Sequence, residues 1–484
     1  MRALILILLY FVINDGVGAP MSAAYDTIVV GLGAAGTAAA AALAQAGRRV
    51  LALEAQGRLG GRVHTVPFGD GLVELGAEWI HGTELSPIYE IGTKNNITFL
   101  PQDITFDAHF SDGVSDKKNI INELTGFALQ LVEDPPSEAE PLGQYLSRRV
   151  REHIQTDHPS VANDTDFING YLDFLDLLID NYESSNSWND VTTQSNYREL
   201  GGHQHMSWHT HGYKTLFELL LNTHNNGPGY SSLEIKINTE VTQIQWPRNP
   251  EDNVVVTVKD GSTYAARNVI VTMSIGVLKD RHTSLFKPPL PQLKRQVIDA
   301  IAIGVVDKVV LLFNDEFWPK DGAFFIFIWK ESDRKKVPAF DLWTTKILGV
   351  SCPMGNRKAL TVWTSGDGAR LAETLPDDVL RTSVMGVIRK FMGANRTIPE
   401  PVEMLRSTWF SNPFTRGSYT YDNVDTPKHP TARADLAAPL TDSAGIPRVL
   451  FAGEATETSH FSTVHGAVKS GYREAKRLLP DSKM

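Results

Sequence analysis

The sequence predicts an α/β fold, and three observations carry that expectation. Tyr25–Val30 reads as a buried strand rich in β-branched residues. Gly31-Leu32-Gly33-Ala34-Ala35-Gly36 follows without a gap, and Thr37–Ala46 is an alanine-rich helical run stopped by Gly47. Arg49–Glu54 is then a second strand that closes on an acid. The C-terminal stretch runs strand (Val449–Ala452), loop and helix (Gly466–Leu479).

Between these ends the reading is coarser. Residues 115–230 carry helical periodicity in pieces, such as Asn122–Val132 and Phe167–Asp180, and Asn181–Tyr197 is polar and loop-like. Strand signals return at Leu233–Ile237, Val241–Trp246, Asn253–Lys259 and Val269–Met273. Pro288, Pro289 and Pro291 mark a break, after which Val305–Phe313 and Phe324–Trp329 read as strands and Asp377–Met392 as a helix. The part outside the glycine-rich unit is therefore expected to be α+β.

The chain has 484 residues, enough for about three units or two large interleaved ones. Hydrophobic residues at 42% and charged residues at 21% describe a packed globular protein and exclude a mainly disordered one. A net charge of −10 argues against nucleic acid as the main ligand and is compatible with a small cationic one. Cys352 is the single cysteine, which excludes an intramolecular disulfide and a cysteine-based zinc site.

Arg2, the apolar run Ala3–Ile13 and the small residues Gly16, Gly18 and Ala19 read as a secretory signal peptide over residues 1–19. The other reading of that run is a buried N-terminal strand. Glycosylation acceptors stand at Asn96, Asn163 and Asn395. At the other end, Ser482-Lys483-Met484 resembles a peroxisomal tail without its usual Leu. A signal peptide acts first, so export ranks above the peroxisome. No other stretch reaches transmembrane length, so no membrane partner is expected after cleavage.

The first glycine run has the context a dinucleotide site requires. Gly31 permits the turn, Gly33 admits a pyrophosphate to the backbone, and Gly36 packs helix on strand, in a Rossmann-like arrangement. The helix N-terminus favours the phosphate charge. Glu54, at the end of the next strand, is placed to accept hydrogen bonds from a ribose. Gly57-Arg58-Leu59-Gly60-Gly61-Arg62-Val63 follows directly, bringing two cations and bare backbone near a pyrophosphate.

With that second glycine motif, the chain resembles the flavin-containing amine oxidases over nearly its whole length. The resemblance implies FAD, bound without a covalent link. It also implies a discontinuous FAD-binding domain (22–95, 233–290 and 425–484) interleaved with a substrate-binding domain (96–232 and 291–424). Phe451-Ala452-Gly453-Glu454-Ala455-Thr456 resembles the family's G-E-x-T segment, which puts Glu454 at the ribityl–phosphate region. Thr463-Val464-His465-Gly466 resembles the start of its closing helix, and Val241 matches a main-chain contact to adenine. The cofactor-binding set thereby implied is Gly31, Gly33, Ala35, Gly36, Glu54, Arg58, Gly61, Arg62, Gly76, Ala77, Glu78, Val241, Trp409, Gly453, Glu454, Thr463 and Val464.

The residues for chemistry follow from the same likeness. Lys308, in an apolar strand, matches a lysine that holds a water at flavin N5; the alternative is an edge-strand lysine facing solvent. Leu75–Gly82 resembles animal-type polyamine and spermine oxidases, with His81 near the flavin and Trp79 as a channel wall; a purely structural His81 is the alternative. Tyr419 would bring an aromatic face to the flavin. Ser418 stands where monoamine oxidases have a cysteine bonded to FAD, and Thr463 where they have a second aromatic-cage tyrosine. Both departures favour a polyamine oxidase with non-covalent FAD.

Glu199 and Asp190 are acids that could meet a distal ammonium. His203, His205, His209 and His211 form two H-x-H pairs, but nothing completes a known ligand spacing, and no metal ligands are assigned.

The function expected is polyamine oxidation: hydride transfer from the amine to flavin, then reduction of O2 to hydrogen peroxide. The partners are a small cationic amine and O2. A secreted L-amino-acid oxidase, a lysine demethylase and a non-catalytic amine-binding flavoprotein are the rival readings.

Overall fold

The computed structural model describes residues 24–113, 117–319, 324–394 and 396–479. The signal-peptide stretch, the Ser482–Met484 tail and Asn395 lie outside them.

Five parallel strands form the centre of a nine-stranded sheet, in the order Leu233–Lys236, Val50–Leu53, Tyr25–Val30, Thr263–Val271, Pro447–Phe451. Tyr25–Val30 and Val50–Leu53, inside the sheet, bury both faces and read as apolar runs, whereas the edge strand Leu233–Lys236 alternates apolar and charged residues. Thr263–Val271 is longer than its sequence signal because it serves two partners on one edge. Its first half pairs antiparallel with Val254–Val258, and its last residues run parallel with Pro447–Phe451. On one face the first helix, Ala34–Gln45, lies against the last, Val464–Leu478. A Cβ on Gly471 would meet the Ala35 carbonyl oxygen at 2.2 Å, so the glycine sets how closely these helices approach.

A second sheet has six strands, ordered Glu403–Arg406, Val306–Leu312, Ala359–Ser365, Ile347–Ser351, Phe324–Ile328, Phe106–Phe110. Helices Lys118–Glu133, Leu142–Asp157 and Thr165–Glu183 share one apolar core with its last strands. Among the described residues no helix is long and apolar enough to cross a membrane.

The differences from the sequence reading have local causes. The first helix begins at Ala34 rather than Thr37, because Gly33 already stands at its N-cap in extended conformation. Thr165–Glu183 runs into the stretch expected to be loop and stops only where Ser184 turns left-handed, at φ 58°. The proline break is short: Pro291 caps a helix over Gln292–Ala300, where its missing N–H costs nothing. Leu142–Asp157 and Ile275–Leu285 are further helices whose polar faces hid them.

Candidate functional site

Two glycine turns meet at the carboxyl ends of the first two strands. Gly33 bridges Gly60, Gly60 N–H donates to the Leu32 carbonyl at 2.9 Å, and a Cβ on Gly61 would sit 3.4 Å from Gly33 Cα. Gly31 has φ +93°, and a Cβ on Gly36 would lie 1.9 Å from the Gly31 carbonyl oxygen. These turns therefore expose backbone N–H groups with no side chain in front, which is what a pyrophosphate needs. Glu54 closes the cradle, its two oxygens accepting from Leu32 N–H and Gln56 N–H, both at 2.8 Å. Burial raises its pKa against those N–H bonds and the charge of Arg58. Arg58 itself donates to the carbonyls of Leu59, Gly61 and Val63, so it braces the second turn.

Arg62 reaches across the chain instead. It donates to Glu454 Oε1 at 2.9 Å and to the Ser418 carbonyl at 2.6 Å. Glu454 Oε2 accepts from Thr420 Oγ1 at 2.7 Å and Ser462 N–H at 2.9 Å. Burial alone would raise the Glu454 pKa, but Arg62, Thr420 and Arg433 outweigh it and hold the carboxyl below its ordinary value. One ionised carboxylate thus joins three distant segments. A small cavity lined by Arg62, Met273, Gly453 and Glu454 lies at the carboxyl ends of Thr263–Val271 and Pro447–Phe451, where parallel α/β sheets place ligands. Ser418 turns its hydroxyl to the Val306 backbone, bonding both N–H and carbonyl at 2.8 and 2.9 Å. Thr463 caps the last helix, accepting from Gly466 N–H at 2.9 Å, and Val464 is that helix's first residue. His465 Nε2, one residue on, is buried with no hydrogen-bond partner among the described residues. An orphaned polar atom beside bare backbone fits a cofactor as the missing partner. Val241 opens a strand in the antiparallel arm of the same sheet.

Lys308 is not an edge lysine. Its strand has a neighbour on each side, and the residue is 3% exposed. All three ammonium protons are used: Glu78 Oε2 at 2.7 Å, and the carbonyls of Glu74 and Gly76 at 2.9 Å each. Lys308 and Trp363 are direct cross-strand partners, and the ammonium lies 4.4 Å from that ring's centroid. Trp363 in turn stacks on Trp79 at 5.8 Å, and His205 stands edge-on to both Trp79 and His81. Trp79 is fixed by Gln102, to which its Nε1–H donates at 2.7 Å. Trp409 spans the same region, its N–H bonds ending on Asp307 and the Leu75 carbonyl. Gly76 and Ala77 are packed on the Arg62 carbonyl, where a Cβ on Gly76 would be 1.9 Å away.

Burial governs the titrations here. It lowers His81, and it lowers His205 to about 4 and His465 to about 3, so these imidazoles are neutral at pH 7. Burial raises Glu74 to about 8 and, with Asp176 nearby, Asp180 to about 8; it raises Glu183 to about 7, helped by Asp422. Asp176, Asp180 and Glu183 sit on one helix near its end, beside Tyr419, whose hydroxyl donates to the Asn181 carbonyl at 2.5 Å. Glu199 is exposed and Asp190 half-buried; burial raises both.

The sequence reading missed Trp363, Asp176, Asp180 and Glu183, and named His205 only within the H-x-H pairs. Only the acids had a local signal, their i, i+4, i+7 spacing on one helix. The four histidines 203–211 do not converge: His203 faces Asp103, His205 faces the tryptophan, and His209 bonds Thr210.

Comparison with known proteins adds a family. The model described as "Flavin containing amine oxidoreductase" matches residues 34–479. The chain is 30% identical to the peroxisomal N(1)-acetyl-spermine/spermidine oxidase of Bos taurus, over 93% of this chain and 94% of the relative. It is 28% identical to the Homo sapiens protein of the same name, with the same coverage. It is 27% identical to probable polyamine oxidase 5 of Arabidopsis thaliana, over 93% and 97% of the two chains.

Proposed function

Because the chain belongs to the flavin-containing amine oxidoreductase family, and is an amine-oxidising enzyme with FAD as cofactor, we propose that its substrates are polyamines. The observation that carries the reading is the buried Lys308, held by Glu78 and set on the Trp363–Trp79 stack beside the dinucleotide cradle. The bovine and human relatives, named as oxidases of acetylated polyamines, support the substrate class.

Bound FAD would supply the redox chemistry, the two-electron oxidation of the amine to an imine balanced by reduction of O2 to hydrogen peroxide. The two glycine turns and the start of the last helix hold the cofactor. Ser418, committed to the Val306 backbone, offers no thiol for a covalent link, which supports non-covalent binding. The tryptophan pair shields the reacting carbon from water and offers π faces to a cationic chain. Asp180 and Glu183, whose carboxyls burial raises, would be ionised by a distal ammonium, so they suit a second charge on the substrate. To hold a water for imine hydrolysis to an aldehyde and a shorter amine, Lys308 would exchange one of its two carbonyl partners for that water. The domain division given by the resemblance is part of this reading.

An anaerobic titration of the purified protein with spermine, then with N-acetylspermine, tests it. The oxidised flavin band near 450 nm should bleach with at least one of them. A band that persists with both would remove polyamines as substrates.

The pH dependence separates substrate from protein. The reacting nitrogen must lose a proton, and free alkylamines titrate near pH ~10, so turnover is expected to rise toward alkaline pH. His81 is already neutral there, so His81→Ala should leave that limb in place and raise the apparent KM by roughly tenfold, the worth of one hydrogen bond. An unchanged KM would leave His81 a packing residue. Stability works oppositely at the acid end. Imidazoles with depressed pKa values bind fewer protons folded than unfolded, so the stability they contribute is lost as pH falls below about 6.5.

Export remains the proposed destination, on the strength of the run Ala3–Ile13. Asn96 and Asn163 are exposed acceptors, so glycosidase treatment of protein from native tissue should increase its mobility. An unglycosylated, peroxisomal chain would assign the Ser-Lys-Met tail that role instead, as the names of the bovine and human relatives suggest.

A further inference from the structure

Outside the oxidase site, three side chains converge on the outer helices. Glu123 lies on Lys118–Glu133, His153 on Leu142–Asp157, and His158 at that helix's C-cap. His153 Nε2 is 2.7 Å from Glu123 Oε1, and His158 Nε2 is 2.6 Å from Glu123 Oε2. The three donor atoms lie within 4.8 Å of one another. His153 Nδ1 is also 2.7 Å from Asp157 Oδ2, and the ring stacks on Phe127 at 4.1 Å.

The contacts of His153 pose a problem in charge. A neutral imidazole has one N–H and one lone pair, yet both its nitrogens face carboxylate oxygens at hydrogen-bond distance. A metal ion on Nε2 would supply the positive centre that two carboxylates on one imidazole call for. The surroundings favour a metal. A carboxylate on Nδ1–H fixes the tautomer and aims the Nε2 lone pair outward, the arrangement that supports histidine ligands in metal sites. A second imidazole nitrogen and a carboxylate then complete three donors of the kind zinc prefers. The histidine side chains are 18% and 22% exposed, so a fourth position is open to water.

We propose that Glu123, His153 and His158 form a zinc-class metal site, with Asp157 as the positioning residue for His153. The site joins two helices that otherwise meet through apolar packing. It is separate from the oxidase chemistry. Lys118–Glu133 packs on Phe106–Phe110, which lies four strands from the Lys308 strand, or roughly 19 Å at ~4.8 Å per strand.

The test uses tag-free, FAD-loaded protein stripped with a chelator and titrated with ZnCl2 by calorimetry. Wild type should bind one equivalent that is lost, or weakened at least tenfold, in His153→Ala/His158→Ala. Asp157→Asn should weaken binding by about tenfold, as loss of a supporting carboxylate does. The conservative Glu123→Gln serves if the double variant misfolds. Co2+ should give a tetrahedral absorption band beyond 550 nm, clear of the flavin, in wild type and not in Glu123→Gln. Zinc affinity equal in wild type and Glu123→Gln, or lost instead in His203→Ala, would overturn the proposal.

Discussion

Lys308→Met is expected to lower amine turnover by at least ~100-fold, the scale of a lost proton-handling group, with flavin still bound. The packing dictates how the variant must be made. Lys308 and Glu78 form a buried pair with side chains 4% and 7% exposed. Removing one partner of such a pair strands the other and costs about 3–5 kcal/mol. The single variant would thus mix a chemical defect with a folding defect. Lys308→Met/Glu78→Gln removes both charges, since the methionine fills the lysine's apolar path and the glutamine no longer needs a cation. In that background the visible spectrum should report full flavin content while turnover stays low and reoxidation by O2 is slowed. Turnover within a factor of three of wild type, at equal flavin content, would take Lys308 out of the chemistry and leave it as the pin between Glu74, Gly76 and Glu78.

Gly36→Val is expected to abolish flavin binding, giving colourless or insoluble protein. A Cβ there would stand 1.9 Å from the Gly31 carbonyl oxygen and 2.8 Å from Thr272 Oγ1. The first is backbone of the glycine turn and cannot rotate away, so helix and strand must separate. Overpacking of this kind costs about 1–3 kcal/mol even in cores that can adjust, and here the part displaced is the turn proposed to hold the cofactor. Gly386→Ala is the control: it lies inside the helix Asp377–Met392 with nothing within 4 Å of its Cβ position. That change should keep the yellow colour and stabilise by about 1 kcal/mol through helix propensity. A yellow, soluble Gly36→Val would show that the helix need not sit so close to the turn.

What could be read in the chain and what could not divides along the distance over which each constraint acts. The sequence alone determined the α/β class, the strand–turn–helix–strand opening and the glycine turn on which a dinucleotide site is proposed. A phosphate at a helix N-terminus needs bare backbone at fixed local spacing, so Gly31, Gly33, Gly36 and Glu54 had to appear close together. Helix Asp377–Met392 was likewise legible to its ends, because periodicity and flanking proline act within a few residues.

The tertiary structure decided the rest. Lys308 carries no mark of its partner, since Glu78 is 230 residues away, and Trp363 is chosen only by the register between two strands. Glu454 gathers Arg62, Thr420 and Ser462 by the order in which segments enter the sheets. The histidines grouped in sequence at 203–211 disperse, whereas Glu123 and His158, 35 residues apart, meet. A buried ion pair, an aromatic stack and a ligand triad are each set by which strands and helices become neighbours. That choice is made by burial of apolar faces summed over a whole core, and no short stretch of sequence contains it.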